Sequence, residues 1–243
     1  MRMTTHQTPM DDPALDTARA AILDAALAYV PAQGWTQGVL DRAIADMGTD
    51  APLAQRAYPK GPIGLIKEFD ARADAAMEAE LARHDLGTMK FRDRIALAVR
   101  VRLQALEPHR PAAKRALAVQ SLPANLPGAM AAVYRTADAI WYAIGDTSSD
   151  FSFYTKRTLV AGIIITTTLV WLSDETEGFA ATSDFLERRI SDVLRIGKTR
   201  TKLESVAASL SANLSASFGP GGLRARLTGR RGTRRASPLS RHR

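Results

Sequence analysis

The sequence predicts an all-α protein, a bundle of about ten helices with a C-terminal amphipathic helix and a basic tail. Three observations predict it. Nearly every periodic segment repeats its apolar residues at three- and four-residue steps, no stretch alternates for long enough to build a sheet, and Gly or Pro punctuates the chain at helix-length intervals. With 46% hydrophobic residues over 243 positions, there is apolar matter for a sizeable core.

Residues 1–13 read as a flexible N-terminus. In TARAAILDAALAYVPAQGW, the residues Ala18, Ile22, Ala25, Ala26 and Tyr29 share one helical face, and Gly34 stops the helix. QGVLDRAIADMG and DAPLAQRAYPKG each fit a short helix, which makes 14–61 a helix-turn-helix-like module. Longer helices are predicted at roughly 62–85, 89–107, 109–121, 123–143, 150–174 and 178–197, within a larger domain spanning 62–197. Gly87, then Pro108 and Pro111, then Pro123 and Pro127 separate them. Asp146 to Asp150 form a polar loop, and Asp150 is a good N-cap for the helix that follows. A further helix is predicted within 198–218. The remainder, 219–243, is rich in Gly, Arg and Ser and reads as a disordered tail.

Charge is unevenly spread. Residues 198–243 carry eleven Lys/Arg and one acid, Glu204, a net +10 against +8 for the whole chain, so the other 197 residues sum to −2. Cysteine is absent, which excludes disulfides, thiolate nucleophiles and sulfur-ligated metal sites. The start, MRMTTHQTPMDDP, lacks the features of an export or import signal, so a cytoplasmic location is expected. The histidines His6, His84, His109 and His242 are isolated from any Glu-x-x-His pair, and no phosphate loop or nucleophile elbow occurs. These absences point to a protein that is not an enzyme and holds no metal.

Fourteen mostly apolar residues, LVAGIIITTTLVWL, run between Lys156-Arg157 and Ser173-Asp174-Glu175. A membrane span needs about 20, so this is a core helix. Apolar on all sides, it must be covered on all sides: deep in the bundle, along a lipid-sized cavity, or against a second copy. Its threonines, Thr166, Thr167 and Thr168, are expected to bond back to carbonyls of the preceding turn. Before it, DFSFYTKR places Phe151 and Tyr154 on one face and Phe153 on another. Such aromatics beside Lys156-Arg157 fit either a core or the centre of an interface. In KLESVAASLSANLSASF, the residues Leu203, Val206, Leu210, Leu214 and Phe218 form a narrow apolar stripe opposite a small, uncharged face. That pattern suits membrane insertion and suits packing on its own domain equally; the arginine tail behind it favours an anionic membrane surface.

The front end, ILDAALAYVPAQGW followed by Tyr58-Pro59-Lys60, resembles the amino-terminal module of the tetracycline-repressor-like regulators. The resemblance implies the fold; the chemistry argues against specific DNA binding. DAPLAQRA offers only Gln55 and Arg56 for reading bases, and the first 61 residues hold five Lys/Arg against seven Asp/Glu. A ligand-sensing repressor is therefore the alternative reading, and a repressor-like fold put to another use is preferred.

SLPANLPGAM, the Trp141 helix entering GDTSSDFSFYTKR, the TTTLVWLSD end of the apolar helix and FLERRISDVLRIG together resemble the ubiquinone-biosynthesis accessory lipid-binding family, coenzyme Q nine, from about residue 17 to 200. The D-x-x-x-Y-T-[KR]-R block carries most of its specificity. The resemblance implies a homodimer without catalytic chemistry or cofactor of its own. It would bind isoprenoid quinone intermediates or phospholipid, sit peripherally on the inner membrane, and present the quinone to demethoxyubiquinone hydroxylase. On this reading Ile140, Phe153 and Tyr154 contact the hydroxylase. Val133, Ala137, Trp141, Leu159, Ile163, Thr167 and Val170 are the candidates for the lipid cavity. The missing presequence points to a bacterial member, and the Arg-rich extension after Gly219 departs from the family pattern.

Overall fold

Short side chains that accept from backbone amides open the first three helices. Asp12 accepts from Ala14 and Leu15 N–H at 3.2 and 3.3 Å, Thr36 from Val39 at 3.3 Å, and Asp50 from Leu53 at 2.7 Å. They begin α1 (Pro13–Gln33), α2 (Gln37–Asp46) and α3 (Ala51–Ala57). The computed structural model describes residues 12–145 and 152–196, with the backbone alone for 152–156, 194 and 196. The helices that follow are α4 (Pro62–Leu81), α5 (Phe91–Leu106), α6 (Arg110–Gln120), α7 (Leu126–Ala143), α8 (Ser152–Trp171) and α9 (Ala180–Ile196), and no strand occurs among the described residues. The predicted terminal helix and tail lie outside these residues.

Gly34 takes φ 75°, a conformation other residues resist, and ends α1 where the sequence places the stop. The buried face of α1 is Ala18, Ile22, Leu23, Ala26, Leu27 and Val30, with Ala25 and Tyr29 at its edge. Tyr58 closes α3: its ring is 4% exposed and its hydroxyl donates to the Arg19 carbonyl at 2.7 Å, locking α3 onto α1. Burial, the largest influence, pushes the Tyr58 hydroxyl far above its ordinary value, so it remains a donor.

The α6 helix ties this front module to the rest. Trp35 Nε1 donates to the Ala112 carbonyl at 3.0 Å in the core, and Arg115 donates to the Pro31 and Ala32 carbonyls at 2.9 and 3.2 Å, meeting the last orphan acceptors of α1. In the larger part, α5 packs on α4, α8 and α9 and is buried nearly all round, through Ile95, Ala96, Ala98, Val99, Val101, Leu103 and Leu106. The hairpin of α7 and α8 is antiparallel, with Tyr134 and Thr158 hydroxyls 2.9 Å apart at its middle. Arg94 gathers one end of the bundle, donating to the carbonyls of Met89, Gly87 and Ile144.

Helix ends fall short of the predicted ones by a few residues. α4 stops at Leu81 because a 3₁₀ turn at Leu86–Thr88, capped by Asp85, follows it; α8 stops at Trp171 because Asp174 takes the chain out of the helix.

Candidate lipid and partner site on the α7–α8 hairpin

The face of α8 turned into the protein carries Val160, Ile163, Ile164, Thr167 and Trp171, all buried. The opposite side is only partly covered: Ile165, Thr166, Thr168 and Val170 are half-buried and Leu169 is 43% exposed. An all-apolar helix thus keeps one strip open; Leu122, before α7, and Leu126, its first residue, are exposed as well. Of the seven cavity candidates, Ala137, Trp141, Ile163 and Thr167 are buried and Val133, Leu159 and Val170 half-buried. Ala137, Trp141 and Ile163 belong to one hydrophobic core, with Val133 and Leu159 packed against it.

The three threonines do not behave alike. Thr166 donates to the Gly162 carbonyl at 2.7 Å, the back-bond expected of a helical threonine. Thr167 is fully buried and its hydroxyl has no hydrogen-bond partner, contrary to that expectation.

One further reading is corrected, and one residue of the aromatic block is placed. Arg157, which the sequence sets beside the aromatics, is 8% exposed and its Nε donates to Asp138 of α7. The last residue of the D-x-x-x-Y-T-[KR]-R block therefore pins α8 to α7. Ile140 has no exposed surface, because Ala137, Ile140, Trp141 and Ile144 form the inward stripe of α7; this withdraws it from the partner-facing set. Phe153 and Tyr154 stand in the first turn of α8, their side chains outside the described residues, as are Leu203, Val206, Leu210, Leu214 and Phe218. Sequence reasoning missed Tyr142, which is 80% exposed, and Phe91, 38% exposed and stacked on Trp141 with ring centroids 5.1 Å apart. Helical spacing carried the signal for Tyr142, which falls between the steps of the Ala137, Ile140, Trp141 and Ile144 stripe and outside it.

A cleft of about 760 Å³ opens between the end of α4 and α7. Leu81, Leu86, Ala139 and Ala143 supply its apolar surface, with Glu78, His84, Arg135, Asp138 and Tyr142 around them. None of the seven cavity candidates lines it.

Charge is buried beside this hairpin. Arg102 of α5 donates to Asp74 at 2.7 Å and lies 3.8 Å from Asp70; Gln120 donates to Asp70 at 2.6 Å and Thr136 of α7 to Asp74 at 2.8 Å. Two carboxylates on α4 share one guanidinium, and burial pushes the Asp70 carboxyl up despite Arg102 and Gln120. Asp174, after α8, accepts from the amides and hydroxyls of both Thr176 and Thr182 at 2.6 to 2.9 Å. Those donors, Thr176 hydroxyl first, hold its carboxyl well below the usual range. The Asp of TTTLVWLSD is thus a clasp between α8 and α9. Among the described residues no three His, Asp or Glu side chains are grouped to hold a metal.

Comparison with known proteins decides the family. The COQ9 family model matches residues 126–197, the stretch from α7 through α9. The ubiquinone biosynthesis protein COQ9, mitochondrial, of Xenopus tropicalis is 30% identical over 214 residues, covering 86% of this chain and 67% of that protein. The chain belongs to the COQ9 family. The proteins of the same name from Drosophila melanogaster and Homo sapiens are 30% and 31% identical, over 84% and 79% of this chain. The chain spans 64% and 63% of their lengths.

The COQ9 match places Asp138, Arg157 and Asp174, with both helices of the hairpin, inside the family's own segment. The fold is that of a repressor: the crystal structure of the TetR transcriptional regulator from Nitrosomonas europaea ATCC 19718 superposes with a TM-score of 0.59 at 21% identity, covering 75% of this chain and 99% of that one. That likeness is one of fold. On α3, the residues open to solvent are Ala51, Pro52, Gln55 and Arg56, and Arg56 is paired with Asp12 at 2.5 Å.

Proposed function

We propose that this COQ9-family chain serves ubiquinone biosynthesis without catalysing a step. It holds an isoprenoid quinone intermediate, or a phospholipid in its absence, and presents the quinone to demethoxyubiquinone hydroxylase. The observation that carries this reading is the family relationship across the α7–α8 hairpin, from which both the lipid and the partner residues are drawn. The apolar hairpin supports it: Val133, Ala137, Trp141, Leu159, Ile163, Thr167 and Val170 supply an interior that α7 and α8 can open to a lipid tail. Phe153 and Tyr154, joined by the exposed Tyr142, are the partner-facing aromatics. The exposed Leu122, Leu126 and Leu169 suit contact with a second copy of the chain in a homodimer.

The protein works on a membrane surface, peripherally at the inner membrane, through Leu203, Val206, Leu210, Leu214 and Phe218. No helix among the described residues is long and apolar enough to cross a membrane. The repressor alternative is not favoured by α3, whose one exposed cation is already paired. The test is binding of the purified chain to the hydroxylase. Phe153→Lys is expected to weaken it at least tenfold while the thermal midpoint and vesicle binding stay as in the parent, since a buried aromatic anchor carries more than about 1.4 kcal/mol. Unchanged affinity would contradict the assignment of Phe153.

A further inference from the structure

Thr136 Oγ1 of α7 donates to Asp74 of α4 at 2.8 Å, and the cleft of about 760 Å³ opens next to that bond, between the last turns of the two helices. Arg135, Asp138, Ala139, Tyr142 and Ala143 line it at three- and four-residue steps, one outward row of α7 that looks away from the buried Ala137, Ile140, Trp141 and Ile144. Leu81, 1% exposed, joins Leu86, Ala139 and Ala143 in an apolar floor. Two of the polar side chains are already engaged: Asp138 accepts from Arg157, and His84 lies 3.4 Å from Glu80. Glu78 on the α4 wall and Arg135 on the α7 wall are exposed, and neither side chain makes a hydrogen bond or an ion pair with a described residue. Arg135 reaches the buried Asp70 through its field alone. Tyr142, 80% exposed, brings its ring to the same cleft. Opposite charges lining one cleft gain by closing on each other. These two stand apart, beyond ion-pair reach, across an open space with an apolar floor.

We propose that this cleft seats the zwitterionic headgroup of a phospholipid. Arg135 pairs with the phosphate, Glu78 and the face of the Tyr142 ring hold the ammonium, and the glycerol end of the chains rests on the apolar floor. The inference rests on the membrane-surface reading above and adds which lipid the body of the protein grips, and where. Charge decides the class. A phosphate alone would satisfy Arg135 but face Glu78 with its like charge, and an amine alone would do the reverse; a group carrying both signs satisfies both walls. The size agrees, since concave sites for small molecules span about 300–1,000 Å³. The cleft lies at the end of α7 from which the chain passes to Phe153 and Tyr154 in the first turn of α8. A headgroup held there brings that end of the hairpin to the membrane surface.

The experiment uses the full chain labelled with fluorotyrosine, the Tyr142 resonance being identified by its loss in Tyr142→Phe. Three probes are titrated, the lipids below their micelle concentrations: dihexanoylphosphatidylcholine, dihexanoylphosphatidylglycerol and glycerophosphocholine. The phosphatidylcholine is expected to shift the resonance saturably and to bind more tightly than the other two. Glu78→Gln and Arg135→Gln are each expected to weaken it about threefold to fivefold, the upper worth of a partly exposed ion pair. Glu78→Gln should at the same time tighten the phosphatidylglycerol, because the repelling carboxylate is gone, whereas Arg135→Gln should weaken both lipids. Both positions are exposed, so the thermal midpoints should stay at the parent value. An unmoved resonance, a parent that prefers the phosphatidylglycerol, or variants that bind as the parent does would overturn the seat. Glycerophosphocholine binding as tightly as the lipid would assign the cleft to a soluble zwitterion and overturn the lipid. Vesicle sedimentation, run beside the titration, tests the membrane reading separately: a parent that titrates but does not sediment would overturn that reading and leave the headgroup seat standing.

Discussion

Asp70 and Asp74 stand one turn apart on α4 and compete for Arg102, which makes them a sensitive pair in the interior. Because burial raises the Asp70 carboxyl, the folded state is penalised for ionising it. Its contribution to stability is fully present below the unfolded carboxylate value, about 3.9, and is lost as pH rises through the raised folded value. Asp70→Asn should therefore leave stability at pH 7 unchanged or increased, with the gain fading as pH falls through the raised folded value and gone by about pH 4. Asp74→Asn should cost about 2 kcal/mol, because Arg102 and Thr136 lose their charged partner. Urea unfolding across pH measures both, and equal losses in the two variants would contradict the assignment. At this scale the sequence was partly legible. Gly34 announced a helix stop from its type alone. Arg157 did not announce its surroundings, since only the placement of Asp138 nineteen residues earlier on a packed helix reveals that a cation beside aromatics is buried. Ile140 failed for the converse reason: apolar type does not say which face of α7 meets the core.

Among the elements, helices were the most legible, because 3.6-residue periodicity survives in every long segment and Gly or Pro marks each break. Their ends were less so, being decided by caps such as Asp174, whose partners Thr176 and Thr182 lie beyond the helix it terminates. The apolar run of α8 was read as needing cover on all sides; the protein covers the Ile163–Thr167–Trp171 side and leaves Leu169 open. The terminal segment bears the membrane contact in this account. Leu210→Glu together with Leu214→Glu places two charges in the apolar stripe and should release the protein from anionic vesicles in a sedimentation assay. Persistent cosedimentation would show that the arginine-rich segment suffices or that the stripe faces protein.

For the whole molecule, α6 joins a repressor-like front module to a bundle whose family identity lies in α7 to α9. Architecture and role separate here. The front module shapes the fold shared with the Nitrosomonas europaea regulator, yet α3 shows solvent a proline, an alanine, a glutamine and a paired arginine. Function was legible in the sequence where a motif is dense, at DFSFYTKR, and illegible where it depends on contacts made far along the chain, as at the cleft of α4 and α7. The most direct test is the quinone profile of a strain lacking this protein. The account predicts a fall in ubiquinone with accumulation of its demethoxy precursor, restored by the parent chain. A normal profile would contradict it and return the fold to its other use, a regulator with a ligand and a DNA site of its own.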